Sequence, residues 1–369
     1  MTDTASETIS LLCSGNSLGV YVPAIQLDYQ LQQKGVTTEI HILESVYPGD
    51  VLARVPAIKQ AFHKHFALAK KSAQLVRDIK DTLDPAKVSE LLNQWRQEKR
   101  TRFIVFTGFW IPILEQYRKI MDPVKLDVDL LRMDAGDSAS YQVYGERCDA
   151  FRNVWFFSAE ENQVLREFPI TTLLPVPFSL RDKGVVLHGG GWGIGTYREA
   201  KKKLLDAGNR LHVLAYDLEE FVPHDQVQYY MNDPHWNPWS LNEQGKHSFP
   251  ALALLKAGME PKFRNQDCHP LLFDVIRNSK AIVSKPGGYS LFESFAAATP
   301  FVFLEPFARH EAVNAEFWIN QGFGIWFEDW EQQHFSNRCL EELHKNLLHA
   351  REKFVQGGKY DATKNNSEI

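Results

Sequence analysis

Short apolar runs that stop at glycine and lead into helix-patterned segments recur along this chain. That rhythm constrains the fold more than any other feature. In "TISLLCSG" (8–15) the apolar residues end at Ser-Gly, as a buried strand does when it feeds a turn. "PAIQLDYQLQQKG" (23–35) follows, with Ile25, Leu27 and Leu31 on one expected helix face and Gly35 as its stop. "TTEIHILE" alternates like a strand, residues 56–99 read as charged helices, and "RFIVFTG" (102–108) is another buried strand closing on glycine. "KLDVDLLRMD" and "NVWFFSAEE" add two strand-like runs. Strands alternating with helices predict a parallel α/β sheet.

The rhythm breaks once. "FPITTLLPVPFSLRDKG" (168–184) holds three prolines and little periodicity, the composition of a linker between domains. The alternation then restarts with "GVVLHGGG", "YREAKKKLLDAG", "LHVLAYD", "HPLLFDVIRNS", "AIVS" and "EAVNAEFWINQG". A chain of 369 residues also exceeds the size at which a single core keeps growing. The expected organisation is one Rossmann-like domain over 1–177, a second over 178–355, and a disordered tail over 356–369.

Composition excludes several partners. Lys and Arg number 41 against 46 Asp and Glu, a net charge of −5, which argues against nucleic acid. Cys13, Cys148, Cys268 and Cys339 show no C-x-x-C spacing, so neither a zinc knuckle nor a disulfide framework is expected. The first residues lack the basic segment of a signal peptide, and no apolar run has the ~18–20 residues needed to span a bilayer. A cytoplasmic protein is expected. The basic amphipathic stretch 58–80 is its one candidate for peripheral contact with the inner membrane face, although a solvated helix face is the plainer reading.

Two glycine segments carry the chemistry. In "VVLHGGGWGIGTYREA" (185–200) a strand ends at Gly189, Gly190 and Gly191. Trp192, Gly193 and Gly195 follow, and a helix is expected from Thr196 or Tyr197. Five glycines in seven residues exceed what one turn needs, and free amides at a helix start suit a diphosphate. In "IVSKPGGYSLFESFAAATPFVFLEP" (282–306) the turn Pro286-Gly287-Gly288-Tyr289 precedes Ser290 and Glu293, which have the spacing of a capping box. The other account places the turn amides against a phosphate and Glu293 on the hydroxyls of a ribose. Spacing alone leaves the two accounts level.

The run 283–322, "VSKPGGYSLFESFAAATPFVFLEPFARHEAVNAEFWINQG", resembles the donor-binding half of GT-B glycosyltransferases. It is most similar to the branch of MurG, the enzyme that adds N-acetylglucosamine to lipid I, and of the galactolipid synthases. The glycine segment 189–195 falls where that fold has its C-domain diphosphate loop, and "SGNSLGVYVPAIQLDYQL" looks like its N-terminal glycine loop and first helix. The resemblance implies a fold of two Rossmann-like domains facing each other across a cleft. It puts Gly287, Gly288 and Ser290 against a diphosphate, Glu293 on the ribose, and Arg309, His310, Glu311 and Asn314 near the sugar hydroxyls. Ser14, Gly15, Asn16, Ser17 and Tyr21 fall on the acceptor side.

The sequence departs from the family in two places. The N-terminal loop has no histidine, and His310 stands where the family has glutamine before the acidic residue. Sugar transfer with inversion needs a general base within reach of the acceptor hydroxyl. Asp134 and Asp137, in "RMDAGDSASY", are the candidates, with turn formation as the plainer role. Trp236 and Trp239, in the irregular segment 231–250, are expected to anchor that loop rather than stack on a ligand. His235, His247 and His269 lack metal-ligand spacing, and "DVD" (127–129) sits inside a strand-like run, so no metal is expected. The resemblance implies a UDP-sugar as substrate, no separate cofactor, and a small-molecule or lipid-like acceptor. The alternatives are a nucleotide-sugar hydrolase or epimerase of the same fold, or a non-catalytic binding subunit.

Overall fold

Two parallel sheets form the framework of the computed structural model, which describes residues 8–354 and 358–364. The first has five strands in the order β2-β1-β3-β4-β5: β1 (Ile9–Cys13), β2 (Thr38–Ile42), β3 (Arg102–Val105), β4 (Asp127–Arg132) and β5 (Arg152–Trp155). Around it lie α1 (Leu18–Gln33), α2 (Gly49–Lys64), α3 (Phe66–Ala73), α4 (Pro85–Gln97), α5 (Ile111–Met121) and the short α6 (Ala139–Gln142). A small hairpin, β6 (Phe157–Ser158) and β7 (Gln163–Val164), follows.

The second sheet has seven strands in the order β11-β10-β9-β8-β12-β13-β14. They are β8 (Gly184–Leu187), β9 (Arg210–Ala215), β10 (Val227–Asn232), β11 (Leu252–Leu255), β12 (Ile282–Ser284), β13 (Phe301–Phe303) and β14 (Gly324–Trp326). Only β11 pairs antiparallel to its neighbour. The helices are α7 (Tyr197–Asp206), α8 (Leu271–Asn278), α9 (Gly288–Ala297), α10 (Arg309–Asn320), α11 (Phe327–Gln332) and α12 (Asn337–Phe354). Strands β1, β3 and β8 are buried along their whole length, which is why they read as mostly apolar runs rather than alternating ones.

In each sheet the chain order reverses beside the first strand, between β1 and β3 and between β8 and β12. Loops leaving the strand ends on either side of such a reversal diverge and open a crevice, the usual ligand position in an open α/β sheet. Behind the crevices the domains share one apolar cluster, in which Tyr21, Val22 and Ile25 of α1 meet Phe273, Ile276 and Tyr289 of the second domain. The irregular loop 231–250 is fastened to the same place. Trp236 meets Tyr21 edge-on at 5.4 Å, Ser248 accepts from the Tyr21 hydroxyl at 2.9 Å, and Pro238 and Trp239 lie against Gly15.

The linker is not loose. Arg181 is 4% exposed and its guanidinium donates to the carbonyls of Ala297 (2.6 Å) and Ser279 (3.0 Å) and to the Thr299 hydroxyl (2.6 Å). It thereby satisfies carbonyls left open at the C-terminal end of α9.

The expectation of a disordered tail fails over 358–364. Lys359 bridges to Glu167, Tyr360 and Ala362 are buried, and the Tyr360 hydroxyl donates to Asp129 Oδ2 at 2.8 Å. The polar composition of the segment hid two small buried contacts and two hydrogen bonds to strands of the other domain, the second from Arg102 to the Ala362 carbonyl at 3.1 Å. The rest of the expected tail, 356–357 and 365–369, lies outside the described residues. Among the described residues no helix is long and apolar enough to cross a membrane. The stretch 58–80 exposes Ile58, Leu68 and Leu75, yet it also turns Phe62 and Val76 toward the interdomain cavity.

Asp129 is the charged centre of the first sheet. It is fully buried in β4, accepts from Arg102 (2.7 Å) and from Arg152 (2.6 Å), and also binds Tyr360. Burial alone would raise its pKa, but the hydrogen bonds from Arg152 and Arg102 outweigh it and hold the carboxyl below the usual range. Its stabilising contribution is therefore present above the unfolded value of ~3.9 and is lost as pH falls through the lower folded value. Asp129→Ala should cost about 3–5 kcal/mol in urea unfolding, because it takes the closest carboxylate from the buried Arg102 and also a partner from the half-buried Arg152. A loss below ~1 kcal/mol would show that these arginines find other partners.

Candidate functional site

The loops at both chain reversals meet in one cavity of about 500 Å³ between the domains. The first domain contributes Ser14, Asn16 and Ser17 from the turn after β1, Phe106 and Thr107 after β3, and Asp134 after β4. From the second come His188 to Trp192 after β8, Lys285 to Ser290 after β12, Glu293 of α9, and His310 and Glu311 of α10, with the exception of Pro286. Side chains such as Phe62, Phe109, Leu131, Met133 and Tyr141 make the first domain's wall largely apolar.

Each predicted residue can now be placed. Gly193, Gly195, Thr196, Pro286, Arg309, Asn314, Gly15, Tyr21 and Asp137 do not line the cavity. Asp137 turns away, pairing with Arg132 at 2.8 Å with its side chain 48% exposed. Asp134 does line it, with Oδ1 accepting from Asn314 Nδ2 at 2.7 Å. Asn314 is fully buried. Besides Asp134, its Nδ2 reaches the Pro286 carbonyl (2.9 Å) and its Oδ1 accepts from the Ala135 amide (2.7 Å), so this side chain joins the domains instead of facing the cavity. The Glu311 carboxylate is held by Lys285 and by the Phe307 amide at 2.7 Å.

The capping box is not formed. Helix α9 begins at Gly288 with Gly287 as its N-cap, so Ser290 lies inside the first turn, and neither glycine has positive φ. Gly288 is required for another reason. A Cβ there would lie 2.5 Å from Asp134 Oδ1 and 2.7 Å from the Met133 carbonyl, so only glycine lets the first domain approach. Gly191 does the same at the other turn, where a Cβ would lie 2.6 Å from Leu18 Cδ1.

Glu293 is 5% exposed and lines the cavity. Burial pushes its carboxyl up to about 8, against the opposing effect of a hydrogen bond from Ser290. One turn before it, the Tyr289 hydroxyl is buried without a partner, as are Asn16 Oδ1 and His188 Nε2, and all three residues line the same cavity. Buried polar atoms are normally paired, so this convergence marks a place where a polar ligand completes the hydrogen bonding.

Three residues here escaped the sequence reading. Lys285 is the first residue after β12, and its neighbour in the quoted motif drew the attention. His188, the first residue after β8, stood beside three glycines. Glu44 had no motif at all. It follows β2, is 1% exposed, and accepts from the Ser14 hydroxyl (2.6 Å), the Gly15 amide (2.7 Å) and the Asn16 amide (3.0 Å). The amides of the N-terminal glycine turn are thus already occupied by an internal carboxylate. Among the described residues no cluster of three or more His, Cys, Asp or Glu side chains is placed to hold a metal ion.

No protein-family profile matches the sequence, and no curated protein resembles it significantly. Solved structures do. The glycosyltransferase SnogD of Streptomyces nogalater shares 14% identity, with 96% of each chain covered and a TM-score of 0.51. MurG of Acinetobacter baumannii shares 11%, covering 93% of this chain and 95% of its own, at 0.50. Arabidopsis thaliana UGT89C1, complexed with UDP-L-rhamnose, shares 11% with 96% of each chain covered, also at 0.50. At such identities the likeness is one of fold, and it spans nearly the whole chain: the protein has the GT-B fold, two Rossmann-like domains facing each other across a cleft.

Proposed function

We propose that the protein is a glycosyltransferase that moves a sugar from a UDP-sugar to a small-molecule or lipid-like acceptor, with inversion and without a metal. The observation that carries this reading is the convergence of Glu293 and three unpartnered polar atoms on one interdomain cavity at the chain reversal of the second sheet. The GT-B fold, shared with a glycosyltransferase and with a protein bound to UDP-L-rhamnose, supports it. The diphosphate lies between the turns 189–191 and 287–288, the ribose reaches Glu293, and the acceptor lies on the apolar wall of the first domain. The acceptor hydroxyl attacks the anomeric carbon and its proton passes to Asp134. The bond from that carbon to the phosphate oxygen breaks, and UDP leaves with the electron pair. Of the two carboxylates considered as base, Asp134 alone lines the cavity.

A thermal-shift screen over nucleotides and nucleotide sugars tests the donor site. A shift with UDP or a UDP-sugar is expected, and none with any nucleotide would defeat the reading. Release of free sugar without acceptor, at the rate seen with acceptor, would make the protein a hydrolase. Asp134→Asn should lower turnover by about 10²–10⁴-fold with UDP affinity kept, while Asp137→Asn should leave the rate unchanged. Equal rates in the wild type and Asp134→Asn would place the base elsewhere.

Glu293 makes binding depend on pH. Ribose hydroxyls donate to the carboxylate and lower its pKa from about 8, so UDP binding releases a proton and tightens as pH rises toward that value. Glu293→Gln should weaken UDP by ~1.5–3 kcal/mol and flatten this rise in calorimetric titrations. Without ligand the sign reverses. The folded protein favours the protonated acid, so its stability contribution is full below the unfolded value of ~4.3 and is lost as pH rises to about 8. Glu293→Gln should therefore melt higher than the wild type at pH ~9 in the absence of nucleotide. Identical melting curves there would mean that the carboxyl is not desolvated.

A further inference from the structure

The imidazole of His188 is held so that only one of its nitrogens can be offered to a ligand. It is the first residue after β8, on the floor of the chain reversal, and its neighbour across that reversal is Lys285, the first residue after β12. Its backbone amide is bonded to Val283 of β12 at 3.3 Å, so the ring cannot swing away with a mobile loop. Nδ1 accepts the Gly190 amide proton at 3.1 Å and lies 3.3 Å from the Ser284 hydroxyl. An imidazole that accepts at Nδ1 carries its proton at Nε2. That Nε2–H is buried without a partner in a residue only 4% exposed, and the residue lines the cavity. Burial, aided by the charge of Lys285, pulls the ring's pKa down to about 4, so the neutral tautomer is the form present at neutral pH.

We infer that His188 is a ligand-binding residue whose neutral Nε2–H donates a hydrogen bond to a phosphate oxygen of a nucleoside diphosphate held between the turns 189–191 and 287–288. This rests on the donor site proposed above. A phosphate oxygen is the partner that fits, because the neighbouring atoms are backbone amides and an ammonium group. The ammonium of Lys285 is engaged by Glu311, so beside the turn 189–191 the uncommitted side-chain donor is His188, and the second one, the Tyr289 hydroxyl, belongs to the turn 287–288. A buried donor without a partner costs free energy, and a charged acceptor recovers it.

The test is calorimetric titration of the full chain with UDP and with uridine, using the wild type, His188→Gln and His188→Met. Both substitutions fill the space of the ring, but only glutamine keeps a donor near the position of Nε2. His188→Met should bind UDP about tenfold more weakly, His188→Gln should stay within about threefold, and uridine affinity should be alike in all three. Unchanged UDP affinity in a folded His188→Met overturns the assignment, and so does an equal loss for uridine. A wild-type chain that binds no UDP defeats the donor site and this assignment together. Wild-type binding with no loss in His188→Met defeats the assignment alone. Should His188→Met fail to fold, the imidazole Nε2–H proton resonance of the wild type decides: it should shift on addition of UDP and not of uridine, and no shift overturns the assignment.

Discussion

One buried amide, the side chain of Asn314, holds the loop after β4 of the first domain against the turn after β12 of the second. It accepts from the backbone of Ala135 and donates to Asp134 and to the Pro286 carbonyl, so a single residue of α10 is bonded to both walls of the cleft. The bonds to Ala135 and to the Pro286 carbonyl are buried, and breaking them would leave groups without partners, each at a cost of about 1–3 kcal/mol. The consequence is geometric. With the loop 133–135 fixed there, Asp134 lies against the start of α9, and position 288 has no room for a side chain.

The cleft is uneven in what it leaves free. On the first domain's side the amides of the glycine turn are spent on Glu44, and most of the remaining wall is apolar. On the second domain's side Lys285 and Glu311 neutralise each other, while His188, Tyr289 and Glu293 keep polar groups directed at the cavity. That contrast suits a charged nucleotide on one side and a less polar acceptor on the other. It also explains why Glu293 is poorly solvated: the apolar packing around α9 that shapes the pocket is the same packing that keeps water from the carboxyl.

Much of the architecture was legible because it depends on local pattern. Mostly apolar runs such as "ISLLC" and "RFIVF", each followed two residues on by glycine, read as buried strands, and their alternation with helices meant parallel sheets. The two glycine turns were legible too, and both do line the cavity. Their reason was only half visible. Gly288 and Gly191 are glycines because the opposite domain comes within contact distance, a fact that no local pattern encodes. Asn314 was expected near a sugar and instead joins the domains. The spacing Ser290 to Glu293 suggested a cap that the actual helix start at Gly288 rules out.

By itself the sequence determined two α/β domains and the two glycine turns that line the cavity. Those follow from hydrophobic periodicity and from where glycine interrupts it, which are properties of neighbouring residues. Only the tertiary structure decided which polar groups remain free. Glu44, Lys285 and His188 differ in availability because of residues 26 to 96 positions away: Ser14, Gly15 and Asn16 for the first, Glu311 for the second, and Ser284 for the third. A hydrogen bond spends a donor or acceptor wherever its partner comes from in the chain, so which groups are left for a ligand is settled by folding and not by local sequence.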